Sequence, residues 1–294
     1  MKENGKKAIA AALGGNMIWG FSYLLTRIGQ QYALPAQVLA IRFAIAFALL
    51  NIMMLCGWEK LRLTGKKLRP LILLCVTELC CFFFESYGIY YTNATIAGVF
   101  MAASPIAAIL LAAVFLREYP TRGQALFCLL PVIGVAMISM AGESLGVVAP
   151  IGALCLVLFC FSSGAYKTAN RAASMFTPFE RTYVLIGACT VAFTVLTAVQ
   201  LHGDMRAYLA PFARWEFTAA VLTLGVFCSI AANMLVNYAS GRISVTKMAN
   251  FGAVTTVCST VSGIVFLHEP MSWMIALGAV LILLGVWQVN QRGK

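Results

Sequence analysis

Apolar residues run in long, nearly unbroken stretches along this chain, at about 8–28, 35–56, 71–91, 95–116, 122–141, 149–168, 178–201, 216–238, 243–266 and 271–290. None carries the single apolar stripe of a soluble amphipathic helix, and none alternates as a barrel strand does. Each is roughly 18–24 residues long, enough at about 1.5 Å per residue to cross a hydrocarbon core of about 30 Å. Backbone amides that enter lipid must be paired within their own segment, so the pattern predicts ten transmembrane helices in an all-α integral membrane protein. Start signals agree with these ends. Pro35 and Pro178 stand at first turns, and Thr177 with Glu180 and Thr121 with Gln124 have capping-box spacing. Most connections are short; the 57–70 and 202–215 loops are the longer ones, and Pro211 and Trp215 are expected at the interface.

The last five stretches re-use the pattern of the first five. At an offset of 151 residues, Phe115-Leu116-Arg117-Glu118 aligns with Phe266-Leu267-His268-Glu269, Thr121 with Ser272, and Gly134-Val135 with Gly285-Val286. The longer 202–215 loop shifts the first two spans to an offset near 143, which pairs Tyr23 with Tyr166 and Pro35 with Pro178. Apolar matches mean little in a chain of this kind, but a shared glutamate followed by a hydroxyl residue and a helix glycine is specific. Two five-span repeats, residues 1–142 and 147–294, are therefore expected. Five being odd, the second must be inverted relative to the first, with a binding site near mid-membrane between them.

Composition supports the membrane reading: 61% of residues are apolar and only 11% charged. The formal net charge of +11 does not point to nucleic acid, because basic residues sit at span ends and in alternate loops. The amino terminus, the loop with Lys60, Arg62, Lys66, Lys67 and Arg69, and the tail with Arg292 and Lys294 are expected on the cytoplasmic side of a plasma membrane. Nearly all ten cysteines fall inside spans, as small buried thiols do. No metal-ligand spacing, glycine-rich phosphate loop or Ser/His/Asp set appears, so neither a cofactor nor catalysis is expected.

The stretch Asn93-Ala94-Thr95-Ile96-Ala97, through Ser104-Pro105 to Phe115-Leu116-Arg117-Glu118, resembles the signature of EamA-domain carriers in the drug/metabolite transporter superfamily. Arg42 in Leu39-Ala40-Ile41-Arg42-Phe43 is similar to that family's arginine early in span two. The resemblance covers essentially the whole chain. It implies ten helices in two inverted repeats, cytoplasmic termini, and a carrier of small metabolites, often an exporter of amino acids or their derivatives. It also implies a cavity lined by spans one to four and six to nine. Two positions depart from the pattern: Thr256 stands where the first repeat has Pro105, and Arg117 and His268 replace the usual small residue before the glutamate.

Several polar residues inside the spans are candidates for contact with a solute. Glu78 and Glu85 lie seven apart on one face of span three, where a mid-bilayer charge costs about 2.5–3.5 kcal/mol. Arg42 is expected at a depth similar to Glu85, so the two form either a buried ion pair locking spans two and three or a cavity-facing group. Span one carries Asn16, Trp19, Tyr23 and Thr26 on one face, and span six answers with Ser162, Ser163, Tyr166 and Asn170. That is either a solute-binding wall or interhelical packing. Span eight adds Asn233 and Asn237, and span nine Lys247 and Asn250. Lys167 and Lys247 lie near cytoplasmic ends, where snorkelling is expected. Glu118 and Glu269 are expected to fix loops or helix ends.

Taken together, these features predict a secondary transporter of a small organic solute, with a channel or a membrane-embedded enzyme as rivals. Its partners are that solute and the bilayer; a homodimer is compatible with such a bundle.

Overall fold

The computed structural model describes residues 2–104, 106–107, 122–144, 148–243 and 245–291. Its long elements are α1 (Lys2–Gly29), α2 (Pro35–Leu55), α3 (Arg69–Tyr91), α4 (Ala94–Met101), α5 (Arg122–Ser144) and α6 (Pro150–Ala172). They continue with α7 (Pro178–Gln200), α8 (Trp215–Ser240), α9 (Val245–Leu267) and α10 (Trp273–Gln291). A short helix, Met205–Leu209, lies in the α7–α8 connection. The described residues contain no strand. Among the described residues, six helices (α1, α2, α3, α6, α7 and α8) are long and apolar enough to cross a membrane by length and composition. Most of the expected fourth span, with Pro105, Arg117, Glu118 and the Thr121–Gln124 capping pair, lies outside the described residues or side chains.

The helix surfaces behave as lipid-facing surfaces should. Val191, Val195 and Val199 form an exposed stripe on α7, and Trp215 and Trp273 are 75% and 72% exposed at helix starts. Inside, α5 packs along α10, α3 along α6 and α2 along α7, while α1 meets both α8 and α9, and α4 meets α9. Small residues bring some of these pairs very close. A Cβ on Gly134 would stand 2.5 Å from the Gly278 carbonyl oxygen, and one on Gly278 would stand 2.8 Å from that of Gly134. Close backbone approach of this kind is how helices associate where lipid removes the hydrophobic drive.

Helix ends are satisfied largely by groups distant in sequence. The expected capping box closes α7: Glu180 N donates to Thr177 Oγ1 (3.1 Å), and Thr177 N donates to Glu180 Oε2 (2.9 Å). Glu180 also accepts from Arg62 N (3.1 Å) and Lys66 Nζ (2.6 Å), so the α2–α3 loop is tied to the start of α7. The offset of 143 maps Glu180 onto Gln37, which makes the corresponding attachment. Gln37 Nε2 donates to the Ala207 and Tyr208 carbonyls (3.1 and 2.9 Å), tying the α7–α8 connection to the start of α2.

The other ends follow suit. Asn93 caps α4 by accepting from Ile96 N (2.8 Å), and Glu269 accepts from Ala94 N and Thr95 N (2.9 and 2.7 Å). Glu269 thus has the helix-end role expected of it, at the positive end of a helix from the other half. Arg27 donates to the Ile89 and Tyr90 carbonyls at the end of α3 (3.2 and 3.1 Å). Arg171 donates to the Ser240 carbonyl at the end of α8 (2.8 Å).

Two stability outcomes are expected. Gly134→Leu forces α5 and α10 apart and should destabilise the fold by about 1–3 kcal/mol, whereas Gly252→Ala should be near neutral because nothing lies within 4 Å of its new Cβ. Melting curves in detergent compare the two. Glu180→Ala should cost about 2–3 kcal/mol, since it strips partners from three donors at once. Lys66→Met should cost under about 1 kcal/mol, because the lysine side chain is 28% exposed. Equal losses from both would show that the ion pair, and not the capping, carries the contact.

Candidate functional site

Three helices converge at the centre, and each brings its polar face inward. Packing of α3 along α6 and α1 against α8 and α9 leaves two small adjoining cavities. The first, about 40 Å³, is lined by Ser22 and Tyr23 of α1, Glu78, Cys81, Phe82 and Glu85 of α3, and Phe159 of α6, with Thr255 closing it from α9. The second, about 30 Å³, is lined by Asn16 of α1 and by Lys167, Asn170 and Arg171 of α6, with Val236 and Ser240 opposite. Trp19, Met101, Ser163 and Tyr166 line both. Volumes of this order hold a water or two and no metabolite, so the site is closed down in this conformation.

The boundary between the cavities is aromatic. Trp19 and Tyr166 meet edge-to-face with ring centroids 6.3 Å apart. The Trp19 indole N–H donates to the Cys228 carbonyl (3.2 Å), and the Tyr166 hydroxyl accepts from Asn170 Nδ2 (3.1 Å). Cys228 sits in a π-helical segment, Leu224–Ala231, that interrupts α8. Wider turns of this kind displace carbonyls from the regular ladder. The sequence gives no sign of it, since neither proline nor a glycine pair marks the place.

The sequence candidates divide. Asn16, Trp19, Tyr23, Glu78, Glu85 and Tyr166 all line one or both cavities, and Tyr23 and Glu85 face one another across the first. Asn16 is also tied to α9, where Thr255 Oγ1 donates to its backbone and side-chain oxygens (3.0 and 3.2 Å).

Arg42, Asn233 and Asn237 line neither cavity. Arg42 is buried, but no ion pair within 4 Å joins it to Glu85, which corrects the expectation of a lock between spans two and three. Its Nε donates to Ser229 Oγ of α8 (3.1 Å), and its guanidinium lies 5.0 and 5.3 Å from the ring centroids of Phe43 and Phe82. Arg42 shares the depth of Glu85 and lies over Phe82 of α3, but its hydrogen bond goes to α8. Asn233 Nδ2 donates back to the Ser229 carbonyl (3.0 Å), and Asn237 Nδ2 donates to Thr182 Oγ1 of α7 (2.9 Å), so these amides are held between helices. Asn250 and Lys247 lie on α9, and their side chains are outside those described.

Lys167 is the largest surprise. Instead of snorkelling outward it points into the bundle, where Nζ donates to Ser104 Oγ (2.6 Å). Nearby, Arg181, in the first turn of α7, forms a buried hub. It donates to the Asn170 carbonyl and Oδ1 (3.0 and 2.6 Å), to Ser240 Oγ (3.1 Å) and to the Asn237 carbonyl. The converging carbonyls at the ends of α6 and α8 supply negative potential that offsets its charge.

The arrangement has carboxylates in the first cavity, cations around the second, and aromatic and apolar walls between them. It suits noncovalent recognition of a small polar solute. Among the described residues, no group of three or more His, Cys, Asp or Glu is placed to hold a metal ion.

The model of the EamA-like transporter family matches the chain twice, over residues 6–140 and 150–291. An uncharacterised transporter of Bacillus subtilis, YcxC, is 34% identical over 291 residues, covering 97% of this chain and 93% of that one. A probable terminal-alkyne amino-acid exporter of Streptantibioticus cattleyicolor is 26% identical over 208 residues, 70% of this chain and 67% of that one. A crystal structure sharing 17% identity superposes with a TM-score of 0.66, covering 97% of this chain and 98% of that chain, which establishes likeness of fold. The chain is a multi-pass membrane protein and belongs to the EamA-like transporter family.

Proposed function

We propose that this protein is a secondary carrier that exports a small organic metabolite, an amino acid or a related compound, across the plasma membrane by alternating access. Its scaffold is ten transmembrane helices in two inverted halves, residues 1–142 and 147–294, with both termini in the cytoplasm. The observation that carries the reading is the pair of charged, aromatic-walled cavities between α1, α3 and α6, helices drawn from both family matches. A closed-down site between repeats is what a carrier passes through between its two open states.

Three further observations support it. Exchanging each helix of the first five with the one five places later leaves the α2–α7, α4–α9 and α5–α10 contacts unchanged and turns α3–α6 into α8–α1. That exchange supports the reading of two copies related by a two-fold axis, as inverted halves would be. The basic 57–68 loop meets the start of α7, and Arg171, Arg181 and Arg242 cluster where α6 and α8 end, which under the proposed topology is the cytoplasmic end of the bundle. The amino-acid class draws on the relative described as a probable amino-acid exporter and on the presence of both charge signs at the site.

Purified protein in vesicles loaded with a labelled metabolite pool should show saturable counterflow of at least one amino acid; ohmic, unsaturable leak would replace the carrier with a channel. In the same vesicles Glu85→Gln should lower flux by about tenfold or more with near-normal expression, because Glu85 lines the first cavity and faces Tyr23. Wild-type flux in that variant would remove Glu85 from the transport role.

A further inference from the structure

We propose that Glu78 and Lys167 are the two poles of the solute site, and that the solute is a compact zwitterion with an apolar side chain, its ammonium on Glu78 and its carboxylate on Lys167. The inference rests on the carrier reading above and adds the residues and the charge pattern of its substrate.

The register of α3 against α6 places the two charges together. Ala149 N donates to the Tyr91 carbonyl (3.1 Å), and a Cβ on Gly88 would strike Leu156, so the helices run antiparallel with residue 88 opposite residue 156. Glu78 lies ten residues from Gly88 and Lys167 eleven from Leu156, which sets them within about one residue of the same level. Each lies within the field of the other. Yet no ion pair within 4 Å joins them, unlike Lys66 and Glu180 at the edge of the bundle, which pair at 2.6 Å.

What each touches instead is neutral. Lys167 Nζ is held by Ser104 Oγ, and Ser104 is fully buried. Glu78 is 4% exposed and lines the first cavity beside Cys81. A buried carboxyl and a half-buried amine at one level, not paired with each other and with Glu85 and Arg42 also in the field of Glu78, form an expensive arrangement for a purely structural purpose. Direct contact would relieve it, and the structure keeps them apart on either side of the junction where the cavities meet. A molecule carrying an ammonium and a carboxylate on one carbon, seated at that junction, would offer each pole its opposite charge at once. Trp19, Met101 and Tyr166, shared by both cavities, and Phe82 and Phe159 of the first, would then receive its apolar side chain.

Thermal-shift titration of the purified full chain in detergent tests this with leucine, methionine and phenylalanine as probes. Isopentylamine and 4-methylpentanoate serve as leucine without its carboxylate and without its ammonium. At least one of the three zwitterions should stabilise the wild type, and neither half-molecule should match leucine at equal concentration. Glu78→Gln and Lys167→Met, both close in shape to the originals, should each weaken zwitterion binding by about tenfold or more in apparent Kd. The double variant should bind no better than either single one. Recovery of binding in the double variant would mean that the two residues serve only to balance each other, and would overturn the proposal. So would unchanged affinity in both single variants, or a half-molecule binding as tightly as leucine. Saturable counterflow of some other metabolite by a wild type that binds none of the zwitterions would sink the zwitterion site and leave the carrier reading standing. Absence of any counterflow would remove both.

Discussion

A polar group carried into lipid has to find its partner inside the bundle, and in this chain the partner is usually supplied from far along the sequence. The amides that open α4 are capped by Glu269, which follows α9. The carbonyls ending α3 and α8 are met by Arg27 and Arg171, from the ends of α1 and α6. Each long connection is held by a residue in the first turn of a helix from the other half, Glu180 in one case and Gln37 in the other. None of these bonds is worth much by itself. The Arg27 and Arg171 contacts close ends within one half, whereas Glu269, Glu180 and Gln37 reach across, so separating the halves would expose the start of α4 and both long connections.

The same constraint explains why the interior is so differently arranged from the periphery. Glu180, at a helix start, receives two backbone amides and an ammonium. Arg181, one residue on, is wrapped by carbonyls, although its Nε has no partner. Glu78, Glu85 and Lys167 are less fully provided for: they border cavities, Lys167 donates to a neutral hydroxyl, and no ion pair within 4 Å relieves them. Charges that fold stability alone had placed would be expected to look like Glu180. Those at the centre do not.

The features written in local sequence were legible before any coordinates. Among the described residues the long helices follow the apolar runs, Pro178 and the Thr177–Glu180 box mark the start of α7, and the stripe Asn16, Trp19, Tyr23 does face the cavities. What was not legible is rotation about a helix axis and register between helices. Arg42 and Glu85 share a depth, but depth does not say which neighbour a side chain faces, and Arg42 faces Ser229. Lys167 lies five residues from the end of α6, where a long side chain can reach either the interface or the interior. Only the packing of α6 on α3 and α4 decides between them. The π segment of α8 is a third case: it appears where packing around Arg42 and Trp19 demands it, with no residue type to announce it.

The packing also limits which parts can move against which. If the two sequence halves rocked as rigid blocks, the motion would have to shear α3 from α6 and α1 from α8, pairs that cross the boundary between them. Gly88 against Leu156 and Gly15 against Val236 and the Ala232 carbonyl show how tightly those pairs are seated, with almost no room for sliding. A motion that keeps both pairs whole would instead carry α6 with α3 and α1 with α8. Trp19 would then travel with the Cys228 carbonyl that holds it, and Tyr166 with Asn170 of its own helix. The edge-to-face contact between Trp19 and Tyr166 joins one such unit to the other, and it stands at the junction of the two cavities. An aromatic contact contributes about 0.5–1.5 kcal/mol, far less than separating a seated helix pair would cost. The cheapest place for this bundle to open is therefore the place where its carboxylates and its cations come closest to sharing a solute.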